Sequence, residues 1–164
     1  MIDHSQSGPY SWWESATAPS ASTPWTGDHP GAGQGSSPHA WGMAQANKVL
    51  LDSLVAQRAD GALIVGRGVP ARWLAAGSSI SVTNFPTTQG RRMNLRISST
   101  GQSVSLTLSG AVPAGAILVQ LPSLAQNIAA ASSGTIDQAT GTVTLPPSTR
   151  NVTVELRGAV AASG

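Results

Sequence analysis

Residues 11–15 read Ser-Trp-Trp-Glu-Ser, which sets one of only seven acidic side chains, Glu14, directly behind two indoles, Trp12 and Trp13. Cleavage of a glycosidic bond takes two carboxyl groups, one to protonate the leaving oxygen and one to activate water or attack carbon. Flat aromatic rings supply surfaces on which sugars stack. Glu14 is therefore a candidate catalytic carboxylate, and Trp12 and Trp13 are candidate walls of a sugar subsite. Both tryptophans also have a plain alternative as packing residues. Downstream, Asp28-His29 and His39-Ala40-Trp41 add polar and aromatic groups. His39 reads in two ways: as a ligand contact, or as a histidine at a helix start hydrogen-bonded to backbone.

Other chemistries find less support. His4, His29 and His39, even with Asp3 and Asp28, have no established metal-ligand spacing, so neither a metal nor another cofactor is expected. Gly66-Arg67-Gly68-Val69-Pro70 follows a strand pattern without opening a helix, which excludes a phosphate loop. The net charge is +2, and no basic cluster exceeds Arg91-Arg92, so nucleic acid is not an expected partner. Arg67, Arg91, Arg92 and Arg96 are read as solvating strand edges. Cysteine is absent, which leaves the compartment open. The opening MIDHSQSGPY lacks the basic and apolar regions of a signal peptide, and no apolar run approaches a membrane span. The Ser/Thr/Ala/Gly-rich, lysine-poor composition resembles that of secreted bacterial proteins. Secretion is favoured over the cytoplasm, with any signal upstream of Met1.

Three zones must position these residues. Residues 1–36 are punctuated by proline and glycine without a period, and read as an irregular segment lying against a structured surface because they hold Trp12, Trp13 and Trp25. A helix is predicted over 37–58, with Ser37 as N-cap and Pro38 at the first helical position, ended by Asp60-Gly61. Its apolar side carries Trp41, Met43, Ala46, Leu50, Leu51, Leu54 and Val55, a stripe that needs a partner surface. From residue 61 to 164 short alternating runs predict strands around 80–82, 93–97, 104–108, 117–121, 143–145 and 152–156. Turn residues separate them, and the segment 127–132 admits a short helical turn as an alternative to a strand. The fold class expected is mainly β: an antiparallel β-sandwich preceded by one long helix and an irregular Pro/Gly-rich segment.

The order of these features resembles the C-terminal end of six-hairpin, (α/α)6-toroid glycoside hydrolases, the group of α-L-rhamnosidases, trehalases and processing-type α-glucosidases. The residues that carry the resemblance are Trp13-Glu14, then Ser37-Pro38-His39-Ala40-Trp41-Gly42, then Gly68-Val69-Pro70-Ala71-Arg72-Trp73. It implies that Glu14 is the general base of an inverting reaction and that His39 contacts the sugar, with Trp12, Trp13 and Trp41 lining the pocket. It further implies domains at 1–36 (loop), 37–60 (last toroid helix) and 61–164 (sandwich), and a general acid in an upstream toroid domain. The partners implied are that toroid and, through the full-length enzyme, a carbohydrate substrate. Self-association through the apolar face of helix 37–58 is a further possibility. No turnover is expected from this chain alone. The competing expectation is a free-standing carbohydrate-binding or purely structural sandwich.

Overall fold

The computed structural model describes residues 38–160, together with the backbone of four short strands ahead of them. The chain divides into two compact units after Leu51. In the first unit, β1 (Gln6–Gly8) pairs antiparallel with β2 (Ser11–Trp12), and β3 (Ser15–Ala16) with β4 (Gly33–Gln34). The helix α1 (Ala40–Leu54) follows.

The expected helix over 37–58 is shorter at both ends. At its start the backbone carbonyl of His39 accepts the first intrahelical bond from Met43, so His39, not Ser37, is the N-cap. At its end the carbonyls of Ser53 and Leu54 are taken by the N–H groups of Gly68 and Gly66, both at 2.8 Å. Those bonds replace the helical partners that residues 57 and 58 would have supplied. Val55, β-branched and fully buried, instead begins β5 (Val55–Gln57). The sandwich thus starts ahead of residue 61. No residue of α1 is buried; of the predicted apolar stripe, Leu50 (48% exposed) and Leu51 (40%) stay accessible with Trp41, whereas Leu54 packs against the sandwich core and Val55 is buried in it.

From β5 the chain turns through Arg58–Ala62 and returns as β6 (Leu63–Val65). It then crosses to the other layer through a 3-10 turn at Ala71–Leu74 and runs through a meander of β7 (Ser79–Pro86), β8 (Arg92–Ser99) and β9 (Ser103–Gly110). It comes back as β10 (Ile117–Gln120), passes a 3-10 segment at Pro122–Asn127, and continues as β11 (Ile128–Ala131), β12 (Thr135–Asp137), β13 (Thr142–Leu145) and β14 (Asn151–Leu156). Residues 128–131 therefore form a strand, and of the two readings open for 127–132 the helical turn is the one not realised.

The two sheets have the orders β12-β13-β10-β6-β5 and β11-β14-β9-β8-β7. All pairings within them are antiparallel except β6 with β10, which run parallel with Leu63 opposite Ile117 and Val65 opposite Val119. The sandwich interior follows from the period of two: Met93, Leu95 and Ile97 on β8, Val104, Leu106 and Leu108 on β9, and Val152 and Val154 on β14 are buried. They join Leu63, Val65, Ile117, Val119, Val143 and Leu145 of the other sheet in one core. Residues between them on the second sheet are Ser, Thr, Asn and Arg and face water. Edges are short or interrupted: β5 and β12 have three residues each, β7 and β11 are bulged, and β7 carries Asn84 at φ 58° before Pro86. Arg92 and Arg96 stand on the interior strand β8, not on an edge, and Arg92 donates to the Asn84 carbonyl at 3.2 Å.

Ser99 ties the crossover to the β8–β9 turn. Its buried hydroxyl donates to the Leu74 carbonyl at 2.6 Å and accepts the Gly101 N–H at 3.0 Å. In the β12–β13 turn, Asp137 accepts from the Thr140 hydroxyl at 2.8 Å and from the Ala139 N–H at 3.0 Å. Those bonds, the Thr140 hydroxyl foremost, hold its carboxyl below the ordinary aspartate value of 3.8.

Two expectations follow. A Cβ on Gly68 would lie 2.5 Å from the Ser53 Cβ and 2.9 Å from its Cα, so Gly68→Ala forces the helix end and the crossover apart. It is expected to lower stability by about 1–3 kcal/mol, against within about 0.5 kcal/mol for exposed Arg67→Ala. Urea unfolding of both variants checks this, and a parent-like Gly68→Ala midpoint would remove the contact as a constraint. For Asp137 the folded state binds its proton less tightly than the unfolded chain. Its contribution is therefore present above the unfolded value and lost as pH falls toward the lowered folded value. Asp137→Asn should flatten the stability profile of the parent below about pH 4. Superimposable acid-unfolding profiles would contradict that role.

Candidate functional site

Of the five residues singled out by the sequence, Trp13 and Glu14 lie outside the described residues, as do Asp3, His4, Asp28 and His29. Trp12 ends β2. His39 and Trp41 are described, and the structure brings them together: their rings meet edge to face with centroids 6.1 Å apart and planes at 73°. Trp41 is 70% exposed at the first turn of α1, which leaves an indole face open to a ligand.

His39 is held by the helix it opens. Its Nδ1 accepts the N–H of Gly42 at 3.1 Å, the third N–H of the helix and one of the four that lack an intrahelical acceptor. That bond places the imidazole proton on Nε2 and fixes the ring against the first turn. The backbone-bonded reading of His39 is thus realised, and it is compatible with a ligand contact: capping engages Nδ1, while Nε2 carries the donor that a sugar hydroxyl would accept. His39→Ala should remove the cap and weaken the helix by about 0.5–2 kcal/mol, whereas His39→Asn retains a capping oxygen. Amide exchange at Gly42 separates the two: it should accelerate in the alanine variant and stay near the parent in the asparagine variant. Equal exchange in all three proteins would show that the ring does not cap.

Other aromatic groups do not form a sugar-stacking platform among the described residues. Trp73, 40% exposed, sits on the 3-10 turn at Ala71–Leu74, and Phe85 packs against the core. No three His, Cys, Asp or Glu side chains among the described residues come together as a metal site. No helix among them is long and apolar enough to cross a membrane.

A concavity within the sandwich has no counterpart in the sequence reading. At one end of the sandwich an open cleft of about 410 Å³ lies between the β5–β6 turn, the β7–β8 connection and the β9–β10 connection. Gln57, Asp60, Thr87, Thr88 and Arg91 supply its polar groups, and Ala111, Val112, Pro113 and Ala114 its apolar wall. Gln57 clamps the β7–β8 connection: its Oε1 accepts the Thr88 N–H at 2.9 Å and its Nε2 donates to the Thr88 hydroxyl at 3.3 Å. Asp60 accepts the Ala62 N–H at 3.0 Å through Oδ1 and pairs with Arg58 at 2.9 Å through Oδ2. Gly115 closes the base, because any side chain there would strike the backbone of Gly61 and Ala62. Sequence spacing could not reveal this cleft, since its lining comes from three turns far apart in the chain.

Comparison with known proteins adds no family: no family model matches the chain, and no curated protein resembles it significantly.

Proposed function

We propose that this chain is the C-terminal part of a glycoside hydrolase of the six-hairpin type, supplying a catalytic-base loop, a last toroid helix and a stabilising β-sandwich. The observation that carries this reading is α1. Its fifteen residues include none that is buried, and Trp41, Leu50 and Leu51 present apolar surface to solvent immediately ahead of a well-packed sandwich. A helix of that kind is ordinarily stabilised by packing its apolar side on other helices. The upstream toroid is the partner that the motif order implies, and the passage from helix into sandwich follows the order of that family.

In this reading Glu14 is the general base. It takes a proton from water while an upstream carboxylic acid, outside this chain, protonates the leaving oxygen. Trp12, Trp13 and Trp41 flank the sugar, and His39 presents Nε2–H to one of its hydroxyls. The carboxylate of Glu14 without its acid partner does not turn over substrate, so the isolated chain is inactive.

The test uses the natural gene product in its source cells. An antibody against the sandwich should detect a polypeptide several times the mass of this chain, with hydrolytic activity toward an aryl α-glycoside panel that includes the rhamnoside and the glucoside. Glu14→Gln in that polypeptide should lower kcat by about 10²- to 10⁴-fold while leaving the unfolding midpoint in place. A product no larger than this chain, or full activity in the glutamine variant, would overturn the assignment.

A further inference from the structure

The end cleft retains unpartnered hydrogen-bond donors. Both polar atoms of the Gln57 amide are engaged by Thr88, and both oxygens of Asp60 are engaged by Ala62 and Arg58. Besides the second Nε2 proton of Gln57, three donor groups remain. The Arg91 side chain makes no ion pair or hydrogen bond among the described residues, although its backbone carbonyl accepts the Thr87 N–H at 3.0 Å. The Thr88 hydroxyl oxygen accepts from Gln57 and still has its proton to give. Thr87, only 9% exposed, lines the cleft, and its hydroxyl has no partner among the described residues. An unpartnered hydroxyl on a residue this buried is an exception in folded proteins. Two hydroxyl donors beside a guanidinium suit an anion, and a guanidinium fork matches a carboxylate.

The remaining features narrow the class. Asp60 stands on the rim, and although Arg58 neutralises it in part, its charge disfavours a dianion such as a phosphate monoester. The wall of Ala111, Val112, Pro113 and Ala114 offers an apolar surface to the body of a ligand. A volume of about 410 Å³ falls in the range of small-molecule sites. We propose that this cleft binds a small organic monocarboxylate, with Arg91 receiving the carboxylate and the Thr87 and Thr88 hydroxyls donating to it or to a neighbouring ligand oxygen. The site lies wholly within the sandwich and does not depend on Glu14 or on the proposed hydrolase.

The probe is D-glucuronate, with D-glucose as its uncharged counterpart, each titrated into the full ¹⁵N-labelled chain while amide resonances are followed. Glucuronate should move the amides of Thr87, Thr88 and Gly115 in a saturable way, and glucose should leave them in place. Arg91→Gln, at an exposed position, should weaken glucuronate binding by about ten- to hundredfold. Thr87→Val, which keeps the shape of the side chain, should weaken it severalfold with the unfolding midpoint retained. Glucuronate that leaves these amides unmoved overturns the proposal, as does an equal response to glucose or undiminished binding by Arg91→Gln.

Discussion

The capture of two helix carbonyls by two glycine amides organises this molecule. Once the carbonyl oxygens of Ser53 and Leu54 accept the N–H groups of Gly68 and Gly66, α1 cannot add another turn, and the next residue enters an extended strand without a linker. Val55 then points into the core, β5 pairs with β6, and β6 lies in register for β10. Close approach is the condition: the Gly68 Cα rests against Ser53, where even a methyl group has no room. Val69 and Leu74, both buried, anchor the crossover that follows, and the Ser123 hydroxyl donates to the Val69 carbonyl at 3.1 Å.

Burial on the inner faces and solvation on the outer faces then do the rest. The second sheet shows this division most cleanly: its outer side is a field of serine and threonine, with Ser105 and Thr153 hydroxyls 3.2 Å apart across neighbouring strands. Such a face is stable in water and offers nothing for a ring to stack on. The end cleft, the capped His39 and the exposed Trp41 all lie at turns or at an element terminus, where side chains are positioned by rigid structure without being consumed by packing.

The legible parts of the fold were those with a strict period. Met93, Leu95 and Ile97 alternate with Asn94 and Arg96, and a half-buried strand is the only element that such a pattern fits. Val55-Ala56-Gln57 was read as the last turn of a helix because it continues the apolar stripe of α1; the bonds that end the helix come from residues 66 and 68, beyond any local window. Ile128–Ala131 hides its strand in alanines, which carry no contrast between faces. At the helix start Ser37 and Pro38 have the stronger local preferences, yet the imidazole of His39 provides the cap. The aromatic-acid motif at Trp13-Glu14 lies outside the described residues; the cleft was not legible, since Gln57, Thr87 and Gly115 mean nothing to one another until the sheets bring their turns together.

The single parallel pairing sets an order of assembly. β7, β8 and β9 are successive hairpins whose partners are neighbours in sequence, so they can form as soon as their residues are available. The first sheet is different, because β6 waits for β10, and the whole three-stranded meander lies between Leu63 and Ile117. Closing a loop of that span before any contact rewards it is slow, and topologies rich in such distant pairings fold slowly. On an emerging nascent chain, β5 and β6 are made early with one side of their hairpin bare, and they acquire their permanent neighbour only after the second sheet has taken shape.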